Sequence, residues 1–139
     1  MLIVKKFGGS SVADKERIYR VARRCIEDYK KGHQVVVVLS AMGDTTDELL
    51  EKAKEINPNA SKRELDMLLT TGEQVSVSLM AMAINALGVP AVSLNAFQVM
   101  MYSTSTYGNA RFKKVDTERI YHELESGKIV IVTGFQCIC

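Results

Sequence analysis

The chain is 139 residues long, 47% hydrophobic and 24% charged, with 18 basic and 16 acidic residues and a net charge of +2. A chain of this size buries roughly 68–70% of its unfolded surface, so one domain with a real core is expected. The charges are interspersed and leave no basic stripe, which argues against nucleic acid as a partner. No apolar run approaches the roughly 20 residues that cross a bilayer. The opening MLIVKKFGGSS lacks the charge order and apolar stretch of a secretory leader. Cys25, Cys137 and Cys139 are too few and too uneven for a disulfide framework. The expectation is a reduced, cytoplasmic protein with no membrane partner.

Leu2–Phe7 predicts a first strand. Ile18, Val21, Ala22, Cys25, Ile26 and Tyr29 recur in the i, i+3, i+4, i+7 rhythm, which predicts a helix with one buried stripe from about Asp14 to Lys30. Gly32 stops it. Gln34–Ser40 is the next strand. Its Val35–Val38 run is apolar on successive residues, as is Ile129–Val132 in a last strand over Ile129–Phe135, and such strands need cover on both faces. Asp44 is placed to cap a second helix whose Leu49, Leu50, Ala53 and Ile56 face inward, ended by Asn57-Pro58. Ser61 with Glu64 makes a capping-box pattern at the head of a third helix running to Leu87, closed by Gly88 and Pro90. Gly72 inside it costs about 1 kcal/mol against alanine and signals a kink or a close approach. Ala91–Asn95 is a further strand. Gln98–Tyr102 and Arg111–Val115 flank a turn-rich segment, predicting a hairpin or a flexible excursion on one rim of the sheet. A last helix lies near Asp116–Glu125 and ends at Gly127. Strands alternating with helices, without repeats or linkers, predict one α/β domain: a three-layer α/β/α sandwich with a mainly parallel sheet.

Three clusters carry candidate chemistry. Lys6-Phe7-Gly8-Gly9-Ser10-Ser11 joins the first strand to the first helix. Its glycines allow positive φ and close backbone approach, its amides and the helix start favour anionic oxygens, and Lys6 adds a cation suited to a phosphoryl group. The spacing is neither a P-loop nor a dinucleotide fingerprint, and the same residues also fit a plain tight turn capped by Ser11. Ser40-Ala41-Met42-Gly43-Asp44-Thr45-Thr46 follows a buried strand, at the edge where open α/β sheets bind ligands; a simple capped loop fits it equally. Thr70-Thr71-Gly72-Glu73-Gln74 puts a carboxylate in an apolar helix, where Glu73 either holds an ammonium group or lies exposed at a kink. Met67, Met80, Met82, Met100 and Met101 fit core filling. His33 and His122 have no metal-ligand neighbours, and Cys137-x-Cys139 has no second ligand pair, so no metal site is expected.

The stretches KFGGSSV (Lys6–Val12), VVVVLSAMGDTTD (Val35–Asp47), LLTTGEQVS (Leu68–Ser76), ALGVPAVSLNAFQ (Ala86–Gln98) and IVIVTGFQ (Ile129–Gln136), in this order, resemble the aspartokinase branch of the amino acid kinase family. The resemblance covers essentially the whole chain. It implies the N-terminal half of the amino acid kinase fold, and transfer of the ATP γ-phosphoryl group, with Mg2+, to the side-chain carboxylate of L-aspartate in amino-acid biosynthesis. By the same resemblance Lys6 is the catalytic cation, and Gly8, Gly9 and Ser10 hold phosphate oxygens. Ser40, Thr46 and Glu73 contact the amino acid, Glu73 through its ammonium, and Phe135 lies beside the pocket. It further implies that residues 1–139 form one truncated domain, with the family's nucleotide-binding half and ACT regulatory domains outside it. Activity is then incomplete in this chain, and a homo-oligomer through the surface so exposed is expected. The alternative expectation is a non-catalytic half-domain, engineered or evolved, that self-associates or only binds ligand. Cys137 stands where the family favours glycine after GFQ, and Cys25, Met100, Tyr102 and Phe112 are bulkier or more apolar than the family leads one to expect.

Overall fold

Runs of successive β-branched residues force strands that must be covered on both faces, and the computed structural model is organised around that requirement. It describes residues 1–95, 101–103, 112–115 and 117–134, with backbone alone at 101–103 and 112–115. In chain order these are β1 (Leu2–Phe7), α1 (Lys15–Lys30), β2 (Gln34–Leu39), α2 (Thr45–Ile56), α3 (Lys62–Ala86), β3 (Ala91–Leu94), β4 (Met101–Ser103), β5 (Phe112–Val115), α4 (Glu118–Glu125) and β6 (Ile129–Thr133). β1, β2, β6 and β3 lie side by side in that order, and all three pairings are parallel. The last strand is thus inserted between the second and third.

Strand alternation then assigns the layers. Val35, Val37 and Leu39 of β2 and Ile129 and Ile131 of β6 share one cluster with Ile18, Val21 and Cys25 of α1 and Val77, Met80 and Ile84 of α3. Val36, Val130, Val132 and Leu94 meet Leu124 of α4 on the opposite face. Each such Val, Leu or Ile contributes roughly 1.5–3 kcal/mol when fully buried. Three layers result, as the sequence predicts.

Several ends and faces differ from expectation. Asp14 caps α1 through its Oδ1, which accepts from Arg17 N at 2.9 Å. Ser61 Oγ accepts from Glu64 N at 3.4 Å, but the Glu64 carboxylate pairs with Arg63, so only half of the capping box forms. Asp44 precedes α2 without a side-chain cap bond, and α2 buries none of its residues. Leu50 is 37% and Ile56 88% exposed, against the predicted inward face. The reason is position: α2 packs chiefly on α3. The strands are slightly shorter than predicted, ending at Leu39, Leu94 and Thr133. β4 and β5 pair antiparallel as a separate two-stranded sheet with an irregularity between Tyr102 and Ser103; the turn between them lies outside the described residues. α3, at 25 residues, has the length and apolarity of a membrane span, against the expectation that no apolar segment reaches that length. Its Val77, Met80 and Ile84 pack in the core cluster.

Polar ties hold the layers. Lys5 Nζ lies 2.5 Å from Asp28 Oδ2, joining β1 to α1, and the Lys5 ammonium holds the Asp28 carboxyl below its usual range. Tyr29 Oη donates to Gly127 O at 2.6 Å. Burial pushes the Cys25 thiol up to about 11, which leaves it unreactive at neutral pH. Glu123, with a side chain only 7% exposed, receives Lys128 Nζ at 2.9 Å and Arg119 Nε at 3.0 Å. The Lys128 hydrogen bond, then that of Arg119, lowers its pKa against the opposing effect of burial. A lowered folded-state pKa gives stability that is present above the unfolded value, about 4.3, and is lost as pH falls through the folded value. Glu123→Gln should therefore destabilise the protein at pH 7, and the gap to the parent should close in acid below about pH 4. Urea unfolding of both proteins across that range checks this.

Candidate functional site

Because the sheet is parallel, the connections after β1, β2 and β6 leave it at one edge, the carboxyl edge at which open α/β sheets bind ligands. Gly8 is extended (φ −81°, ψ 175°) and leads into a 3-10 turn over Gly9–Val12, closed by Ser11 N donating to Gly8 O at 3.1 Å. Gly43 N donates to Gly9 O at 3.0 Å, locking this loop to the one after β2. A Cβ at Gly9 would stand 2.6 Å from Ala41 O, whereas one at Gly8 would meet nothing within 4 Å. The glycine pair therefore serves close backbone approach at Gly9. The positive φ expected of the pair is not seen; it falls at Gly43 (φ 48°) in the neighbouring loop. Gly134 N donates to Leu39 O at 2.9 Å, bringing the tip of β6 into the same layer. From below, Gly72 of α3 packs against this layer: a Cβ there would lie 3.1 Å from both Ala41 Cβ and Thr45 Cγ2.

The predicted residues distribute around this edge. Lys6 is the penultimate residue of β1, in register with Val38. Its neighbours Lys5 and Phe7 turn toward α1, Lys5 to Asp28 and Phe7 to the core cluster, so Lys6 leaves the strand on the opposite face and is exposed. Ser10 is exposed and its carbonyl accepts from Arg17 Nη1 at 3.0 Å. Ser40 is half-buried just past β2, and Thr46 is exposed in the first turn of α2, whose N-terminal end adds partial positive charge. Glu73 is half-buried on α3 next to Gly72. Gly8, Gly9, Ser10, Ser40 and Thr46 thus lie in or next to the two docked loops, and Glu73 follows Gly72, which packs against Ala41 and Thr45. Lys6 and Glu73 approach that layer from opposite faces of the sheet, so a ligand touching both must lie across the strand tips. Phe135, Cys137 and Cys139 lie outside the described residues.

Two features were not anticipated. The contact between Gly9 and the Ala41 carbonyl has no local sequence signal, because it joins two loops distant in sequence. Thr133 is fully buried at the tip of β6, and its Oγ1 has no hydrogen-bond partner among the described residues; a hydroxyl ending the apolar run IVIV was the only hint. Among the described residues no three His, Cys, Asp or Glu side chains gather as metal ligands. The edge offers a cation, hydroxyls and amides, a set suited to anionic oxygens.

A family model described as the amino acid kinase family matches residues 1–138. The chain is 55% identical over 137 residues to an aspartokinase of Bacillus sp. (strain MGA3), covering 99% of this chain and 33% of that protein. It is 53% identical over 135 residues to aspartokinase 2 of Bacillus subtilis (strain 168), covering 97% of this chain and 33% of the relative. The chain thus spans about a third of the length of these curated relatives. Among solved structures, an aspartate kinase from Synechocystis superposes with a TM-score of 0.85 at 45% identity, over 99% of this chain and 22% of that one.

The two glycines separate the possible reasons for their presence. Gly8→Ala should leave stability nearly unchanged, whereas Gly9→Ala should lose about 1–3 kcal/mol, the usual range for forced overpacking. Chemical denaturation of the two single variants decides it. Equal effects would contradict the loop docking described.

Proposed function

This chain belongs to the amino acid kinase family, and from that premise we propose that it forms the substrate- and phosphate-gripping part of an aspartokinase. The reaction is transfer of the γ-phosphoryl group of ATP to the side-chain carboxylate of L-aspartate. The observation that carries this reading is the docking of the Gly8-Gly9 loop onto the Ala41–Gly43 loop beside Lys6, at the carboxyl edge of a parallel sheet.

Phosphoryl transfer asks little covalent chemistry of a protein; positioning and charge compensation do most of the work. In this reading Lys6 offsets the negative charge of the phosphoryl oxygens, and amides of Gly8 and Gly9 with the Ser10 hydroxyl receive those oxygens. Ser40 and Thr46 orient the amino acid, and Glu73 accepts its ammonium group. ATP would supply the phosphoryl group and Mg2+ would offset the charge of its phosphates, with Lys6, Gly8, Gly9 and Ser10 holding the phosphate end.

With about a third of the length of its relatives, the chain has the acidic and cationic ends of an amino-acid phosphate site. We place the nucleotide-binding half and any regulatory domains outside residues 1–139, and the reaction in cytoplasmic amino-acid biosynthesis.

Calorimetric titration with L-aspartate and with Mg-ATP, each alone, tests the two ends separately. L-Aspartate should bind, and Glu73→Gln should weaken it about tenfold or more, equal to about 1.4 kcal/mol. Lys6→Met should weaken the phosphate-bearing ligand while leaving L-aspartate binding within about twofold. Unchanged binding in both variants would overturn the assignment.

A further inference from the structure

One buried polar side chain near the site has no duty in the reading above. Thr133 ends β6 and is fully enclosed, and its Oγ1 has no hydrogen-bond partner among the described residues. Leaving a buried hydroxyl unpaired costs free energy, and a valine would fill nearly the same volume without that cost. Hydroxyls of α3 near this end are engaged with their own helix. Thr70 donates to Met67 O at 2.8 Å, Thr71 to Leu68 O at 2.7 Å, and buried Ser76 to Gly72 O at 3.4 Å.

The fold sets Thr133 against one particular residue. Along β6, Ile129 and Ile131 face the cluster shared with α1 and α3, while Val130 and Val132 face the opposite layer. Alternation puts Thr133 on the first of these sides, together with its register partner Leu39. α3 packs on β6 there, and its Val77, Met80 and Ile84 share the cluster with Ile131. The helix runs antiparallel to the strand. Ile129 N, at the start of β6, donates to Pro90 O just past the end of α3, whereas Gly72 meets Ala41 at the carboxyl edge. From Ile131 to Thr133 the strand advances about 6.6 Å toward that edge. From Val77 back to Glu73 the helix advances about 6 Å in the same direction. Glu73 also lies seven residues before Met80, which returns it to within about 20° of the same helix face, and it is half-buried. The Glu73 carboxylate and the Thr133 hydroxyl therefore face each other at the end of the sandwich.

We propose that Thr133 is a positioning residue for Glu73: its hydroxyl donates to one carboxylate oxygen and holds the group toward the ammonium of the bound amino acid. The inference rests on the reading of Glu73 as the acceptor of that ammonium. Rotation of the two side chains, Thr133 about χ1 and Glu73 about its three torsions, forms the bond. A carboxylate has about four lone-pair sites, so accepting from Thr133 leaves the other oxygen for the ligand. A long acidic side chain loses rotamer freedom when it grips a ligand, and a fixed donor beneath it lowers that loss. The donor is also neutral. It orients the carboxylate without cancelling the negative charge that attracts the ammonium, as a lysine or arginine in its place would.

Calorimetric titration of the purified chain and its variants with L-aspartate tests the proposal. Thr133→Val should weaken binding about tenfold, the scale of a hydrogen bond to a charged group, and Thr133→Ser should restore it to within about twofold of the parent. In a Glu73→Gln background Thr133→Val should add nothing, because no carboxylate is left to orient. Urea unfolding separates this role from packing: Thr133→Val should be as stable as the parent or more so, having lost an unpaired buried hydroxyl. A parent that does not bind L-aspartate overturns the aspartokinase reading and this inference with it. If Glu73→Gln weakens binding while Thr133→Val stays within about twofold of the parent, this inference alone falls. It falls equally if the two substitutions are additive, if serine fails to rescue, or if Thr133→Val unfolds at lower urea than the parent.

Discussion

A carbonyl oxygen standing 2.6 Å from where a side chain would begin at Gly9 is the tightest constraint at the candidate site. It fixes the loop after β1 against the loop after β2, and the 3.0 Å bond from Gly43 N to Gly9 O secures the contact. Parallel pairing makes the meeting possible: strands running the same way deliver their following loops to the same edge. Gly72 then lets α3 close on the same layer from below, within 3.1 Å of Ala41 and Thr45. Two glycines with ordinary backbone angles thus determine how near the phosphate-type loop, the hydroxyl loop and the helical carboxylate can come.

Among the described residues the two faces of the sheet are covered unequally, and the site reflects it. On one side α1 and α3 form a continuous cover, with Val35, Val37 and Leu39 fully enclosed. On the other, the eight-residue α4 covers β6 and β3, while Val4 of β1 stays 62% exposed. Lys6 belongs to that open side. Its neighbour Lys5 is taken by Asp28 on the covered side, so adjacent lysines have separate duties: one ties the edge strand to α1, the other remains at the strand tip. A one-residue slip of β1 would exchange them.

Much of the architecture was legible because periodicity reports burial. The Val35–Val38 and Ile129–Val132 runs identified strands covered on both faces, and the stripe of α1 was correct at Ile18, Val21, Ala22, Cys25 and Ile26. The same rule failed for α2, since Leu50 and Ile56 repeat with helical spacing but the helix packs chiefly on α3; periodicity shows which face is apolar and not how much lies beneath it. For the site, the order of the motifs was readable, as was the need for room at Gly72. The reason for Gly9 was not, because the Ala41 carbonyl that excludes a side chain arrives from another loop. Thr133 was missed for a similar reason: a single hydroxyl after four apolar residues reads as the strand's end, and its enclosure is a tertiary fact.

The central claim is that these loops act as one ligand-binding layer at the carboxyl edge of the sheet. Amide chemical-shift mapping during titration with L-aspartate measures this most directly. The account predicts shifts concentrated at Gly8–Ser10, Ser40–Thr46 and the turn of α3 around Glu73, with little change along the outer face of α1. Shifts confined to α1 or α4, or spread evenly with no focus at the strand tips, would contradict it.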